Sequence, residues 1–200
     1  MLIGVTGGVG CGKTTVARRL SELLTARYIN SDDLCRELMG KGREGYRQFV
    51  QRFGDRFLDE DGNIDRPMLR GHVFSVESGR RQLEAILHPL VRDRIGSISR
   101  MSSKGSVVIA EVPLLFESGW ESDFDRVVCV VASLETAISR IVQRDLVSRE
   151  DAERIVAAQM DLAEKARRSD WTIDNDGDPA QFERQLAKVA HMITELSVRL

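Results

Sequence analysis

The chain of 200 residues is short of cysteine, has no excess of either charge and contains no long apolar run. Each shortage removes a class of protein. Its three cysteines, Cys11, Cys35 and Cys129, are an odd number with no C-x-x-C pair and no metal-like spacing. A disulfide framework and a cysteine metal site are therefore excluded, and reduced thiols in a reducing compartment, the cytoplasm, are expected. The 29 Lys and Arg against 31 Asp and Glu leave a net charge of −2, which creates no field attractive to nucleic acid. No run approaches membrane-spanning length. The opening apolar stretch is broken at Gly7 and lacks a basic segment, so it reads as a strand rather than a signal peptide. Internal repeats, low-complexity tracts and flexible interdomain linkers are also missing. What remains is a soluble chain of one domain, long enough for a core of its own and open to insertions.

What is present begins at once. Leu2 to Thr6 is a short apolar run that stops at glycine, and Thr14 to Leu24 restarts as a helix with Val16, Leu20, Leu23 and Leu24 on one face. Between them Gly7, Gly12, Lys13 and Thr14 fit the phosphate-loop pattern G-x-x-x-x-G-K-[ST] in the strand-to-helix setting it requires. Three of the four glycines from 7 to 12 are free to take positive φ or to let the backbone approach an anion. Gly8, Val9, Gly10, Cys11, Gly12, Lys13, Thr14 and Thr15 are thus the candidate ATP-binding residues. Lys13 would reach the β- and γ-phosphates. Thr14 would ligate a Mg²⁺ bridging them, and the helix N-terminus adds partial positive charge. Cys11 reads either as a small filler or as a thiol acidified by amides and Lys13.

Thr25 to Asn30 is strand-like, and Ser31 or Asp32 opens the next helix with acids in its first turn. A carboxylate just past such a strand faces the same crevice as the phosphate loop, so Asp32 is a candidate base for a substrate hydroxyl; helix capping alone explains it equally. Residues 43 to 101 read as mostly helical and interrupt the alternation of strand and helix, with a turn at Asp61-Gly62-Asn63 and a break or kink expected at Pro89. Ser106 to Glu111 and Asp125 to Val131 have the continuous apolar character of buried parallel strands. Glu111, ending the first of these, is a candidate for the metal's surroundings. From Arg140 to Arg168 the chain is dense in charge; a solvated helical pair accounts for that, and so does a lid whose arginines, Arg140 and Arg144 among them, close over ATP. Asp170 to Asn175 reads as a fifth strand. Phe182, Leu186, Val189, Ile193 and Leu196 then form the stripe of a last helix.

Several separate stretches together resemble the dephospho-CoA kinase family. They are Thr6-Gly-Gly-Val-Gly-Cys-Gly-Lys-Thr14, Asp32 with Arg36, Asp61-Gly-Asn-Ile-Asp-Arg66, Leu87-His-Pro-Leu-Val-Arg92, Pro113-Leu-Leu-Phe-Glu117, Gln143-Arg-Asp145, Gln159, and Asp170 through Asn175. The resemblance implies a three-layer α/β P-loop NTPase fold with a parallel five-stranded sheet. Its core would be about 1–31, 104–139 and 169–200, its helical coenzyme-A-binding insertion about 32–103 and its lid about 140–168. The implied reaction moves the ATP γ-phosphoryl to the 3'-hydroxyl of dephospho-coenzyme A, with Mg²⁺, in a monomer. Asp32 would be the base, and Arg36, Arg66, His88 and Arg92 would bind the acceptor. Asn175 would lie near the adenine of ATP, and Thr14 and Glu111 near the metal. One departure stands out. The family commonly shows Asp-Ala-Asp where this chain has Asn30-Ser31-Asp32, so Asn30 would have to serve without charge or Glu111 take over.

Two rival readings have testable marks. Another small-molecule kinase would share loop, base and lid. A GTP-dependent switch fits less well: Asp59-Glu-Asp-Gly62 matches D-x-x-G but sits in the helical insertion, and the chain has no Asn-Lys pair for guanine.

Overall fold

Six consecutive buried residues, Leu2–Gly7, form β1, the central strand of a parallel sheet. Burial on both faces is what a parallel strand demands, and it explains the run of Leu, Ile and Val without polar alternation. Four further strands, β2 (Arg27–Asn30), β3 (Val108–Glu111), β4 (Arg126–Val131) and β5 (Trp171–Asp174), give the order β2-β3-β1-β4-β5. The computed structural model describes residues 1–75, 77–103 and 105–198.

Strand alternation sorts the two faces of the sheet. Ile3 and Val5 of β1, with Ile109, Val128 and Val130, join a core shared with Val16, Ala17 and Leu20 of α1 (Lys13–Leu23) and with Leu186, Val189, Ala190 and Ile193 of α9 (Pro179–Ser197). The opposite face turns toward residues 113–124. A Cβ added at Gly4 would lie 2.7 Å from Leu115, and Thr6 Oγ1 donates to the Pro113 carbonyl at 3.2 Å. The expected stripe of α1 holds at Val16 and Leu20, but Leu23 is 47% exposed. Leu24 still packs against that core, so only Leu23 falls outside the stripe.

Two compact units divide the chain, Met1–Asn30 with Ser99–Leu200, and Ser31–Ile98. The second is helical: α2 (Ser31–Leu38), α3 (Glu44–Phe53), α4 (Arg66–Ser75) and most of α5 (Glu77–Met101). Its own core gathers Met39, Phe49, Phe57, Leu69 and Leu87, with Phe49 and Phe53 stacked at 4.8 Å between ring centroids. The turn read at Asp61-Gly62-Asn63 is held from several sides. Asp59 Oδ1 accepts the N–H groups of Asp61 and Asn63, and Tyr46 donates to the Gly62 carbonyl at 2.6 Å. Asp59 thus serves its own turn, which removes the chance D-x-x-G match from consideration.

Of the break or kink expected at Pro89, the break does not occur: α5 runs on through it. An interior proline costs about 3 kcal/mol or more. Leu87, Val91, Ile95 and Ile98 are buried along α5 at spacings of four, four and three. Each such burial contributes roughly 1.5–3 kcal/mol, so the stripe outweighs the lost hydrogen bond.

In the first unit, α6 (Leu134–Asp145), α7 (Arg149–Ala157) and α8 (Leu162–Arg168) make up the charge-dense stretch. Each begins at a side-chain cap, Ser133, Ser148 and Asp161 respectively. Beneath the charged surface, Ile138, Ile141 and Ala152 pack with Val9, Val142, Val147 and Val156, so α6 and α7 close on the phosphate loop through an apolar seam. Among the described residues no helix is long and apolar enough to cross a membrane.

Candidate active site

Gly7, Gly10 and Gly12 carry φ of +142°, +77° and +89°. At Gly10 a Cβ would lie 2.5 Å from the Ala137 carbonyl oxygen, and at Gly12 2.1 Å from Asn175 Nδ2. Glycine at both positions therefore follows from conformation and from space. Gly12 is also the N-cap of α1, which places Lys13, Thr14 and Thr15 in the first helical turn, at the positive end of the helix dipole.

The loop's carbonyls are bound from outside. Asn175 Nδ2 donates to Cys11 O at 2.8 Å, and Arg140 donates to Gly10 O at 3.3 Å and to Asn175 O at 2.9 Å. Lys13 Nζ reaches Gly8 O at 2.9 Å. In a trans peptide the N–H points opposite to the C=O, so the bond on the Cys11 carbonyl turns the Gly12 N–H away from Asn175. From the segment between α7 and α8, Gln159 Oε1 accepts the Val9 N–H at 3.0 Å. Of Arg140 and Arg144, one helical turn apart on α6, Arg140 meets the loop, whereas Arg144 forms a two-pronged pair with Asp145. Beside the loop, a cavity of about 430 Å³ is lined by Gly8, Val9 and Cys11 together with Ala137, Val156 and Leu162.

The sheet register sets the second half of the site. Asn30 and Val5 both pair with Glu111, so the ends of β2, β3 and β1 lie side by side. Glu111 is 4% exposed and its carboxylate is held by three side chains. Thr14 Oγ1 donates to Oε1 at 2.7 Å, while Tyr28 OH and Asn30 Nδ2 (3.0 Å) donate to Oε2. Asn30 therefore acts on Glu111 as a neutral donor. A second carboxylate there would face the first at hydrogen-bond distance, with like-charge repulsion in place of a hydrogen bond. Thr14 and Glu111 offer hard oxygen atoms, the chemistry that suits Mg²⁺ held jointly with a substrate's phosphates.

Tyr28 is a participant that the sequence reading missed. The signal was there, since Tyr28 and Asn30 are two apart on one strand and so share a face. Burial, reinforced by Glu111, pushes the Tyr28 phenol up to about 12, so it remains a donor at ordinary pH. A group whose folded value lies above its ordinary value near 10 contributes stability that is complete below 10 and lost as pH rises through 12. Wild type should therefore lose stability faster than Tyr28→Phe between these values. Parallel chemical denaturation of the two proteins across that window checks it, and matching slopes would refute it.

Cys11 reads differently in three dimensions. It is 1% exposed, and burial raises its thiol despite Lys13 and Arg140 pulling the other way. The filler reading is the one that its surroundings favour.

The remaining sequence candidates belong to the helical unit. Asp32 and Asp33 occupy the first turn of α2, both exposed, and Arg36 one turn on pairs with Asp33. Arg66, at the start of α4, approaches the Arg36 carbonyl at 3.5 Å. His88, half-buried, and Arg92, exposed, stand one turn apart on α5.

A parallel sheet with a glycine loop between its central strand and first helix, and with hydroxyl and carboxylate oxygens beside that loop, defines a P-loop nucleotide-binding protein. A family model for dephospho-CoA kinase matches residues 1–181, and the chain belongs to that family. It is 40% identical over 192 residues to the dephospho-CoA kinase of Geobacter sulfurreducens, covering 94% of this chain and 96% of that one. Two solved structures are similar over nearly their whole length. The Thermus thermophilus protein TT1252 has a TM-score of 0.79 at 33% identity, covering 96% of this chain and 97% of its own. Dephospho-CoA kinase from Campylobacter jejuni has 0.71 at 26%, covering 97% of each.

Proposed function

We propose that this chain transfers the γ-phosphoryl of ATP to the 3'-hydroxyl of dephospho-coenzyme A by in-line displacement. Such a transition state is loose, so catalysis consists mainly of positioning and of charge stabilisation. The bond between the γ-phosphorus and the β,γ-bridging oxygen breaks, and a bond from the ribose 3'-oxygen forms. Asp32 orients the hydroxyl and takes its proton. Loop amides from Gly8 to Thr15 and the Lys13 ammonium hold the β- and γ-phosphates. Arg140, already against the loop, holds the Gly10 carbonyl directly and the Cys11 carbonyl through Asn175. Arg144 would join the γ-phosphoryl oxygens only by leaving Asp145. Arg36, Arg66, His88 and Arg92 bind the phosphates and base of the acceptor.

Thr14 and Glu111 would hold Mg²⁺, which when bound neutralises charge on the phosphate oxygens. Asn175, spent on the Cys11 carbonyl, fixes the loop on the side assigned to adenine. The observation that supports this reading most is the contact of Thr14 with Glu111 directly beside the glycine loop.

Incubating the protein with Mg·ATP and dephospho-coenzyme A should give a product heavier by one PO₃H, about 80 mass units. A panel including nucleosides and shikimate tests the acceptor, and GTP in place of ATP tests the donor. Phosphorylation of another acceptor in preference to dephospho-coenzyme A would overturn the proposal.

A further inference from the structure

Lys165 of α8 is completely buried, and nothing in the reaction above uses it. Burying an ammonium is costly unless it is paired and its hydrogen bonds are satisfied. Its Nζ lies 2.7 Å from Glu117 Oε1 and donates to the Pro113 carbonyl at 3.2 Å. That carbonyl also accepts Thr6 Oγ1 at 3.2 Å. Thr6 immediately precedes the phosphate loop, and Pro113 follows Glu111 by two residues; between them Val112 N–H donates to Val5 O at 2.9 Å. The lysine therefore stands behind the joint between the strand that delivers the loop and the strand that delivers Glu111.

The rest of α8 is secured to the same segment. Glu117 accepts the Met160 N–H at 3.2 Å, just before the helix. At the other end Arg168 pairs with Glu121 and lies 4.6 Å over the Phe116 ring. Both ends and the middle of α8 thus hold residues 113–121, so this helix behaves as part of the scaffold.

We propose that Lys165 is a positioning residue for the metal–nucleotide site: by clamping the Pro113 carbonyl it fixes Glu111 relative to Thr14. Groups that directly hold a metal-facing carboxylate typically change metal affinity 10–100-fold when removed; Lys165 acts a step further back, through the Pro113 carbonyl, so the low end of that range applies. The inference rests on the reading of Glu111 as a metal-side residue, and the experiment separates the two.

Calorimetry measures ATP affinity with Mg²⁺ and with a chelator, for wild type, Lys165→Met and Glu111→Gln, alongside thermal midpoints. Lys165→Met should lower the ratio of the two affinities about tenfold and raise the Mg²⁺ concentration for half-maximal turnover similarly. A purely structural lysine would lower the thermal midpoint and leave the ratio within about twofold of wild type, and that result overturns the proposal. If Glu111→Gln also leaves the ratio unchanged, the metal reading itself is what fails. Should Lys165→Met not fold because Glu117 is left unpaired, the double variant Lys165→Met/Glu117→Gln removes the pair together and is read by the same ratio; no change there also overturns the proposal.

Discussion

Lys13→Ala should lower turnover by about 10²–10³ while leaving the fold intact. The ammonium is one preorganised cation at the point where charge moves during transfer, and water cannot replace it without reorganising. Lys13 is the first residue of α1, and alanine is a better helix former than lysine, so the helix has no reason to fray. One of its native contacts is the bond to the Gly8 carbonyl, and losing such a bond costs only about 1 kcal/mol. Steady-state kinetics with a thermal midpoint distinguish the two effects. Turnover within tenfold of wild type would mean that the glycine loop is not where the phosphoryl group moves.

Asp32→Asn should be as severe and differ in kind. Removing a general base costs roughly 10²–10⁴ in turnover. Asparagine has the same shape and lacks the charge, so among what it forfeits in the first turn of α2 is a dipole interaction of about 0.3–1 kcal/mol. ATP affinity, which depends on the loop, should stay at the wild-type value. Asp33→Asn is the matched control. It is the next residue on the same turn and the partner of Arg36, and it should retain most activity. A fully active Asp32→Asn would reduce Asp32 to a helix-capping residue.

The parts of the fold that were legible in the sequence are those written in consecutive residues. A buried parallel strand needs an unbroken apolar run, a phosphate loop needs glycines at fixed intervals, and both are local requirements. The strands at Leu2–Gly7 and Arg126–Val131 and the loop between Gly7 and Thr14 follow from them. Long-range balances were not legible. Pro89 signals a break by local chemistry, and only the burial of residues spread along α5 overrides it. Arg140 and Arg144 look alike on a helical wheel. What separates them is that one finds loop and strand-end carbonyls while the other has Asp145 beside it. Tyr28 and Lys165 act through partners 83 and 52 residues away, a relation created by sheet register and helix packing and by no pattern within the chain.

The sulfur at the heart of the nucleotide loop carries one more implication. Peroxide and alkylating reagents attack the deprotonated form, and enclosure among Gly8, Leu162 and their neighbours keeps Cys11 protonated. The nucleotide loop itself should therefore react slowly with oxidants and thiol-directed inhibitors, for as long as that sulfur stays enclosed.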